Sequence, residues 1–248
     1  MNITAVIPAR YASGRMPGKP IADICGRPMI WWVYRQAKKE LRFNNIVIAT
    51  DDERIENVCN EYNLPVIMTS KEHDTPTSRL YEVSTKIDSD LYVLVMGDEP
   101  LVNAECFDLI IPKGFDGGYY VGALSNTLTE ATEVIDYSNQ KVVTNSKDEV
   151  LLISRSPIPY PKGFLDYKYK KVTGVQIFSK KALEFFNATA KSVLEKAEEN
   201  DLMRFVENSI PVIVTNSEYK TISVDTPKDL EKVKEIIVSK INKGEVVL

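Results

Sequence analysis

The sequence predicts an α/β fold, with a mostly parallel central sheet flanked by helices and a smaller antiparallel excursion in the second half. Three observations support this prediction. Short β-branched runs alternate with segments of helical period over the first hundred residues, the run at 91–95 is strongly apolar, and the later strands are separated by a proline-fixed turn. Strands buried on both faces read as continuous apolar runs, and helices must then cover the sheet on both sides.

The first half of the chain supplies the parallel strands. Strands are predicted at 3–8, 45–50, 65–69 and 91–95, and helices at 28–42, 52–62 and 77–86. Each strand is therefore followed by a loop and then by a helix, and the helix returns the chain to the end of the sheet where the next strand begins. Ligands of such sheets bind at the carboxyl ends of the strands, so the residues to examine for chemistry are 9–19, 50–52, 69–79 and 97–100.

The second half is less regular. Strands are predicted at 117–124, within 141–154, at 171–178 and at 210–215, with a turn at 156–161. Helical segments are predicted at 180–187, 192–208 and 226–241, the last with Asp225 before it and Pro227 in its first turn. No repeat or linker interrupts the chain, which favours a single domain over residues 1–248.

The composition argues against several classes of protein. At 248 residues, with 44% hydrophobic residues, the chain is long enough to bury a substantial core. Its net charge of −4 disfavours nucleic acid as a partner, because polyanion binding needs many cations on one face. The three cysteines have neither disulfide-framework nor zinc-site spacing. No apolar run approaches the roughly 20 residues that span a bilayer or has a signal-peptide layout. We therefore expect a cytoplasmic protein without a membrane span.

Residues 8–20, PARYASGRMPGKP, follow the first strand and are called the basic loop below. The loop contains Arg10, Arg15 and Lys19 together with two glycines. Glycine lets backbone N–H groups approach an anion, arginine binds phosphate oxygens in pairs, and lysine adds a mobile charge. The alternative is a solvated surface loop, but the position at a strand's carboxyl end favours a phosphate cradle. The spacing matches neither the P-loop nor the dinucleotide-binding pattern.

Two aspartates follow apolar stretches and are candidates for a metal site. Asp98 lies in GDEP directly after the strand at 91–95, and Asp225 lies in VDTP before the last helix. Mg²⁺ prefers one or two carboxylates together with phosphate oxygens and water, so two such aspartates opposite the basic loop suit a metal–nucleotide site. Asp225 has an alternative use as the cap of the last helix.

Taken together, these segments resemble the 3-deoxy-manno-octulosonate (Kdo) cytidylyltransferases, also called CMP-Kdo synthetases. The resemblance covers nearly the whole chain and is carried by IPARYASGRMPGKP with GRPMI, ATDDERI, MTSKEHDTPTSRL, GDEP, SRSPIPY and VDTPKDL. It implies a Rossmann-like nucleotidyltransferase fold, usually dimeric. It also implies that the anomeric hydroxyl of a small acidic sugar attacks the α-phosphate of CTP, and that pyrophosphate leaves.

The resemblance also implies a function for individual residues. The expected catalytic residues are Lys19, Arg10 and Asp98, and the expected ligands of Mg²⁺ are Asp98 and Asp225. The expected nucleotide-binding residues are Ala9, Arg10, Arg15, Lys19, Thr69, Arg79 and Asp98. The expected acceptor-binding residues are Arg155, Met96, Val172, Asp201 and Arg204. Residues 110–215 are expected to carry the acceptor site and the contacts of a homodimer. For Arg79 and Arg155 the alternative is a structural salt bridge.

The sugar-binding half departs from the family pattern. Met96 stands where a glutamine generally precedes GDEP, Pro76 replaces a glycine, and Val172 and Leu202 replace polar residues. A site built to hydrogen-bond hydroxyls loses affinity when its polar groups are exchanged for apolar ones. Kdo is therefore one candidate acceptor among several. Alternatives are a sugar phosphate or phosphonate acceptor, and a CTP-binding protein without turnover.

Two other features have more ordinary interpretations. His73 is the single histidine and is a conceivable general base, but its loop position near the nucleotide favours a supporting function. Trp31 and Trp32 are expected to pack in the core rather than to stack on a base.

Overall fold

The computed structural model describes residues 1–12 and 16–246. The strands are β1 (Ile3–Ala9), β2 (Asp23–Ile24), β3 (Arg27–Pro28), β4 (Asn45–Thr50), β5 (Val66–Met68), β6 (Leu91–Val95), β7 (Val121–Thr127), β8 (Lys141–Thr144), β9 (Val150–Ser154), β10 (Lys170–Ser179) and β11 (Ile213–Asn216). The α-helices are α1 (Met29–Ala37), α2 (Glu53–Glu61), α3 (Pro76–Lys86), α4 (Glu105–Ile110), α5 (Ala131–Ile135), α6 (Lys180–Ala188), α7 (Val193–Glu198), α8 (Leu202–Glu207) and α9 (Pro227–Asn242). None of these helices has the length and apolarity needed to cross a bilayer.

The predicted α/β fold is confirmed. The central sheet has the strand order β11-β7-β10-β6-β1-β4-β5, and β8 and β9 extend it as a hairpin that pairs with β10. Strands β6, β1, β4 and β5 are mutually parallel, and β11 is parallel to β7. The carboxyl ends of β1 and β6 therefore meet at one edge of the sheet.

Alternate residues of the strands point to opposite faces, and each face has its own core. Val6 of β1 packs with helices α3 and α6, whereas Ile7 packs with α1, α2 and α4. A ring cluster of Phe178, Phe186 and Phe205 fills the first core, and each such buried side chain stabilises the fold by about 1.5–3 kcal/mol. A third cluster packs α9 against α1.

Local signals in the sequence explain where the helices begin. Helix α3 begins after Thr75, whose hydroxyl accepts a hydrogen bond from the Ser78 N–H at 3.1 Å, and Pro76 occupies the first position. Asp52 caps α2 in the same way, with its carboxylate accepting from the Arg54 N–H at 3.0 Å. Both caps lie within the strand-end segments 50–52 and 69–79, so each helix begins close to the carboxyl end of the preceding strand.

The structure after β6 differs from the prediction in three ways. The strand predicted at 171–178 is β10, and it lies between β6 and β7, antiparallel to both, so the antiparallel element is in the middle of the sheet. The helix predicted at 192–208 is two short helices, α7 and α8, because Glu199 takes a left-handed conformation with φ 49° and ends the first. Helices α4 and α5 were not predicted at all, and both are only five or six residues long.

Candidate active site

The site lies where β1 and β6 end side by side. Gly97 follows β6, and a Cβ at this position would lie 2.7 Å from the carbonyl oxygen of Pro8. Only glycine allows this approach of the two strands. The next residue, Asp98, therefore lies directly opposite the start of the basic loop.

Residues 16–20 of the basic loop return to this edge. Gly18 has φ 72°, a conformation that glycine adopts without strain, and its N–H donates to the carbonyl oxygen of Tyr11 at 2.9 Å. A short 3-10 helix, Lys19–Ile21, follows directly. The Lys19 ammonium lies 2.8 Å from Asp98 Oδ2 and 3.4 Å from Asp225 Oδ1. Arg15 falls outside the described residues, so its predicted contact with a nucleotide stays a prediction.

Asp225 is brought to the site by a backbone contact and is not the cap of α9. The N–H of Val224 donates to the carbonyl oxygen of Asp98 at 2.8 Å, which fixes the two acidic segments side by side. The cap of α9 is Thr226, whose hydroxyl accepts from the Asp229 N–H at 3.3 Å. Asp98 and Asp225 therefore converge on one cation, and they are the carboxylates best placed to hold a metal ion.

A cavity of about 350 Å³, called the basic-loop compartment below, opens beside these groups. Its walls include Ala9, Arg10, Lys19, Arg79, Asp98 and Asp225. Five of the predicted nucleotide-binding residues are thus brought together around one cavity. The sixth described member, Thr69, does not line it. Its hydroxyl accepts a short hydrogen bond from Arg79 and donates to the carbonyl oxygen of Thr50 at 3.0 Å.

The sequence left two interpretations of Arg79 open, a structural salt bridge and a contact with the nucleotide. Arg79 lines the basic-loop compartment, but only 4% of the residue is exposed, and its guanidinium binds Asp51 Oδ2 at 2.8 Å. A buried ion pair of this kind is costly to break, since removing one partner leaves an uncompensated charge. The structural salt bridge is therefore present, and a contact of Arg79 with a nucleotide stays a prediction.

His73 has partners on both ring nitrogens. Nε2 lies 2.6 Å from Glu82 Oε2, and Nδ1 lies 3.1 Å from the hydroxyl oxygen of Ser78. Burial raises the pKa of Glu82, but hydrogen bonds from Lys86, the Ser70 N–H and His73 outweigh it and lower this pKa to about 2. The imidazole is thus held in place at the wall of the compartment, which supports a positioning function rather than proton transfer.

A second cavity, of about 750 Å³, adjoins the first and is called the acidic compartment below. The two share Pro76, Met96, Asp98 and Asp225. Three residues predicted to bind the acceptor, Met96, Val172 and Asp201, lie in its walls. Asp201 accepts from the Thr77 N–H at 3.3 Å, and burial raises its pKa above the usual range. The shared wall places Asp98 and Asp225 at the junction of the two cavities.

Glu99 is the least expected member of the acidic compartment. It is 3% exposed, and its Oε1 accepts from the Gly174 N–H at 3.1 Å and lies 3.1 Å from the hydroxyl oxygen of Ser223. Its Oε2 is buried without a hydrogen-bond partner. Burial, followed by the charge of Asp98, raises the pKa of this carboxyl to about 7.

Two residues predicted to bind the acceptor, Arg155 and Arg204, lie outside the walls of both cavities, and so does Leu202, which was noted as a departure from the family pattern. Arg204 is 5% exposed and is held by Glu195 at 2.7 Å and by the carbonyl oxygen of Phe186 at 2.7 Å, away from the walls of both cavities. Leu202 is fully buried in the core. Arg155 is likewise outside the cavity walls, with its guanidinium bound to the carbonyl oxygens of Glu198 and Tyr137, both at 3.1 Å. All three side chains support the fold.

Sequence reasoning missed residues that line the acidic compartment or support a side chain in the wall of the basic-loop compartment. Asp51 lies among the strand-end residues 50–52, and Glu99 lies within GDEP, so their positions in the sequence placed both near the site. Their hydrogen-bond and ion-pair partners could not be predicted from the sequence. Gln176 of β10 was not among the predicted site residues, and it lines the acidic compartment. Trp32, by contrast, is buried as expected, and its indole N–H donates to the carbonyl oxygen of Ile24 at 2.9 Å.

Comparison with known proteins gives one family over nearly the whole chain. The family model described as Cytidylyltransferase matches residues 4–235. The 3-deoxy-manno-octulosonate cytidylyltransferase of Geobacter metallireducens is 38% identical, over 95% of this chain and 97% of the relative. The enzyme of the same name from Escherichia coli is 34% identical, over 95% of this chain and 96% of the relative.

Solved structures agree with these relatives. A structure of CMP:2-keto-3-deoxy-manno-octonic acid synthetase complexed with CTP matches with a TM-score of 0.90 and 34% identity, covering 97% of this chain and all of that one. The inositol-1-phosphate CTP transferase of T. maritima shares the fold, with a TM-score of 0.71 at 18% identity over 99% of this chain and 98% of that one. The chain is thus a CTP-dependent nucleotidyltransferase, and it belongs to the 3-deoxy-manno-octulosonate cytidylyltransferase family.

Proposed function

We propose that this protein transfers CMP from CTP to a Kdo-like sugar acid, with Mg²⁺ as cofactor and release of pyrophosphate. The observation that carries the proposal is the position of Lys19 between Asp98 and Asp225 at the junction of the two cavities. A transferred group must be reached from both substrates, so the charges that stabilise the transition state belong at such a junction. The relatives named for Kdo and the neighbour complexed with CTP support the same assignment.

The two compartments divide the substrates between them. Arg10 and Lys19 supply positive charge in the basic-loop compartment, which suits the triphosphate. The acceptor enters from the acidic compartment, and its anomeric hydroxyl oxygen bonds to the α-phosphorus while the bond from that phosphorus to the β-bridging oxygen breaks. The hydroxyl proton leaves to solvent, and the electron pair leaves with pyrophosphate.

The acidic pair fits a magnesium ion. Asp98 and Asp225 already converge on one cationic group, the Lys19 ammonium, and Mg²⁺ uses one or two carboxylates with phosphate oxygens and water. When bound there, Mg²⁺ would neutralise charge that develops on the transferred phosphate and on the leaving pyrophosphate. Lys19 would then be free to turn toward the triphosphate.

A phosphorylated acceptor is the less favoured alternative. The acidic compartment is lined by eight carboxyl groups and two lysines. A phosphate or phosphonate dianion would be repelled by this field, whereas a sugar acid carries one negative charge, which the metal can offset. A binding-only protein is also less favoured, because Lys19, Asp98 and Asp225 are all held in one cluster.

We also infer a homodimer. The segment between β9 and β10 and the nearby turn after α5 leave large apolar side chains exposed on the single chain, among them Tyr137, Tyr160, Phe164 and Leu165. Patches of this kind commonly mark protein interfaces. Light scattering coupled to gel filtration should give about twice the 28.0 kDa chain mass. A monomer at micromolar concentration would contradict the inference.

The experiment that tests the function is release of pyrophosphate from CTP, ATP, GTP and UTP in the presence of Mg²⁺ and a panel of acceptors. The panel contains Kdo, other sugar acids, sugar phosphates and small phosphonates. We expect release with CTP and a sugar acid, and loss of release on chelation of the metal. Release only with a phosphorylated acceptor would contradict the acceptor assignment, and no release with any acceptor would contradict the proposed transfer.

A further inference from the structure

Residues 51–54, between β4 and the first turn of α2, support two different parts of the site. Asp51 Oδ2 accepts from the Arg79 guanidinium at 2.8 Å, and Arg79 lines the basic-loop compartment. Asp52 binds a different arginine, Arg54, whose Nε and Nη2 donate to its two carboxylate oxygens at 2.9 Å and 2.7 Å. The two consecutive aspartates therefore hold two arginines, of which Arg54 lies outside the walls of both cavities.

The guanidinium of Arg54 lies over the ring of Tyr11. Its central carbon is 3.3 Å from the ring centre, and attraction between a cation and the face of an aromatic ring stabilises this arrangement. Asp52 also caps α2, since its Oδ1 accepts from the Arg54 N–H at 3.0 Å. The carboxylate that holds the guanidinium is thus itself fixed at the start of a helix, and it fixes the guanidinium over the ring.

Tyr11 closes the base of the basic loop. The Gly18 N–H donates to the carbonyl oxygen of Tyr11 at 2.9 Å, and a Cβ on Gly18 would lie 3.2 Å from two carbon atoms of the Tyr11 ring. The ring therefore packs against residue 18 as well as against Arg54. Arg10 precedes this closure, Lys19 follows it, and both line the basic-loop compartment. The closure consequently helps to fix the backbone from which these two cationic side chains extend.

The stability of the fold gives little reason for the Arg54 contact. The Arg54 side chain is 60% exposed, and exposed ion pairs contribute little to the free energy of unfolding. The cap of α2 uses the backbone N–H of residue 54, which a substitution of the side chain leaves in place. The contact instead bears on the basic loop, because it joins α2 to the residue at which the loop closes.

We propose that Arg54 is a positioning residue for the nucleotide, which holds the basic loop in place through the ring of Tyr11 without touching the nucleotide itself. This inference rests on the proposed binding of the triphosphate in the basic-loop compartment and does not depend on the acceptor. Charges that are fixed before the ligand arrives bind it more tightly, because the ligand does not have to order them.

The test measures binding of CTP with Mg²⁺ by isothermal titration calorimetry in the absence of an acceptor. Arg54→Ala and Tyr11→Leu should each raise the Kd of CTP about fivefold, because the loop must then be ordered on binding. The KM of the acceptor should stay unchanged, and the free energy of unfolding should stay close to that of the parent. A role in the fold alone would instead lower the free energy of unfolding and affect both substrates.

Two further variants test whether Arg54 acts through the ring. Tyr11→Phe keeps the ring and should bind CTP like the parent. The double variant Arg54→Ala with Tyr11→Leu should bind CTP no more weakly than the weaker single variant, because both substitutions remove the same contact. The matched control is Lys181→Ala, which removes an ammonium 4.8 Å from the centre of the Tyr119 ring, beside the amino end of β6, and should leave the Kd unchanged.

The outcomes separate this inference from the function on which it rests. A Kd of Arg54→Ala equal to that of the parent would overturn the inference. A raised Kd in Arg54→Ala with no change in Tyr11→Leu would overturn it as well, since the charge of Arg54 would then act on the triphosphate directly. A parent that binds CTP but releases no pyrophosphate with any acceptor would overturn the proposed transfer and leave this inference intact. A parent that does not bind CTP would overturn both.

Discussion

The two compartments share one edge of the sheet but differ in how their polar groups are satisfied. In the basic-loop compartment Lys19 is paired with Asp98, and Arg79 is paired with Asp51 behind the wall. In the acidic compartment three buried oxygen atoms, Glu99 Oε2, Gln176 Oε1 and Thr221 Oγ1, have no partner among the described residues. Several charges of the first cavity therefore have partners before a ligand arrives, whereas the second contains buried polar atoms whose hydrogen bonds a ligand can complete.

This difference matches what each cavity has to recognise. A triphosphate is the same in every cytidylyltransferase, so a preorganised cluster of cations can serve it without change. An acceptor differs from enzyme to enzyme, and specificity is then gained from groups that are satisfied only by the correct molecule.

The largest effect is expected at the shared wall. Asp98→Asn should lower kcat by about 10³-fold, because it removes a charge that holds the metal at the transferred phosphate. Steady-state pyrophosphate release measures this change, and the loss should be equal for every acceptor. Asp116→Asn, at the opposite edge of the sheet, is the control. Turnover of Asp98→Asn close to that of the parent would remove Asp98 from the site.

A smaller effect is expected at the buried ion pair behind the basic-loop compartment. Arg79→Ala should lower the free energy of unfolding by about 3 kcal/mol, since it leaves Asp51 partly buried without its partner. Urea unfolding measures this loss. The control is Arg54→Ala, which breaks a neighbouring but exposed pair with Asp52 and should have a much smaller effect.

A double variant sharpens this result. Arg79→Met combined with Asp51→Asn removes both charges and should recover part of the stability lost in Arg79→Ala. A raised KM for CTP in Arg79→Ala without any loss of stability would mean that Arg79 serves the nucleotide and not the fold.

The smallest effect concerns Glu82 and its dependence on pH. The pKa of Glu82 is lowered from 4.5 to about 2, so its stabilising contribution is present above pH 4.5 and is lost as the pH falls toward 2. Glu82→Gln should therefore cost about 1 kcal/mol at pH 7, after allowance for solvent screening at this partly exposed site, and less at pH 3. Thermal unfolding at several pH values measures the difference.

Glu99 provides a comparison of opposite sign. Its pKa is raised from 4.5 to about 7, so the parent protein should lose stability as the pH rises through this interval, measured without metal or nucleotide. Glu99→Gln should reduce that loss of stability.

For Glu82, a cost of Glu82→Gln that stays constant from pH 7 to pH 3 would contradict the pairing described for the basic-loop compartment.

The parts of the fold that the sequence predicts well are those with local signals. The strands at 45–50 and 91–95 have the predicted bounds, because each β-branched or apolar run begins after a polar residue and is followed within two residues by a polar residue or glycine. Strand β10 was found, but its place between β6 and β7 was not. Pairing partners depend on tertiary contacts that leave no mark on the strand's own sequence.

The candidate site shows the same limit. Lys19, Asp98 and Asp225 were predictable because each follows a strand or precedes a helix at the ligand-binding edge. The position of Arg204 was not predictable, because the direction of its side chain depends on the break at Glu199, after which α8 turns it toward Glu195. The orientation of a side chain in a short helix follows from packing, and the sequence alone does not supply it.

The most direct test of the central claim follows the phosphorus atoms of CTP. Two parallel reactions, one with CTP labelled at the α-phosphorus and one labelled at the γ-phosphorus, are run with Mg²⁺ and a sugar-acid acceptor. We predict that the α label moves to the sugar product and that the γ label is released in pyrophosphate. Transfer of the γ label to the acceptor, or release of the α label as free CMP without a sugar product, would contradict cytidylyl transfer at this junction.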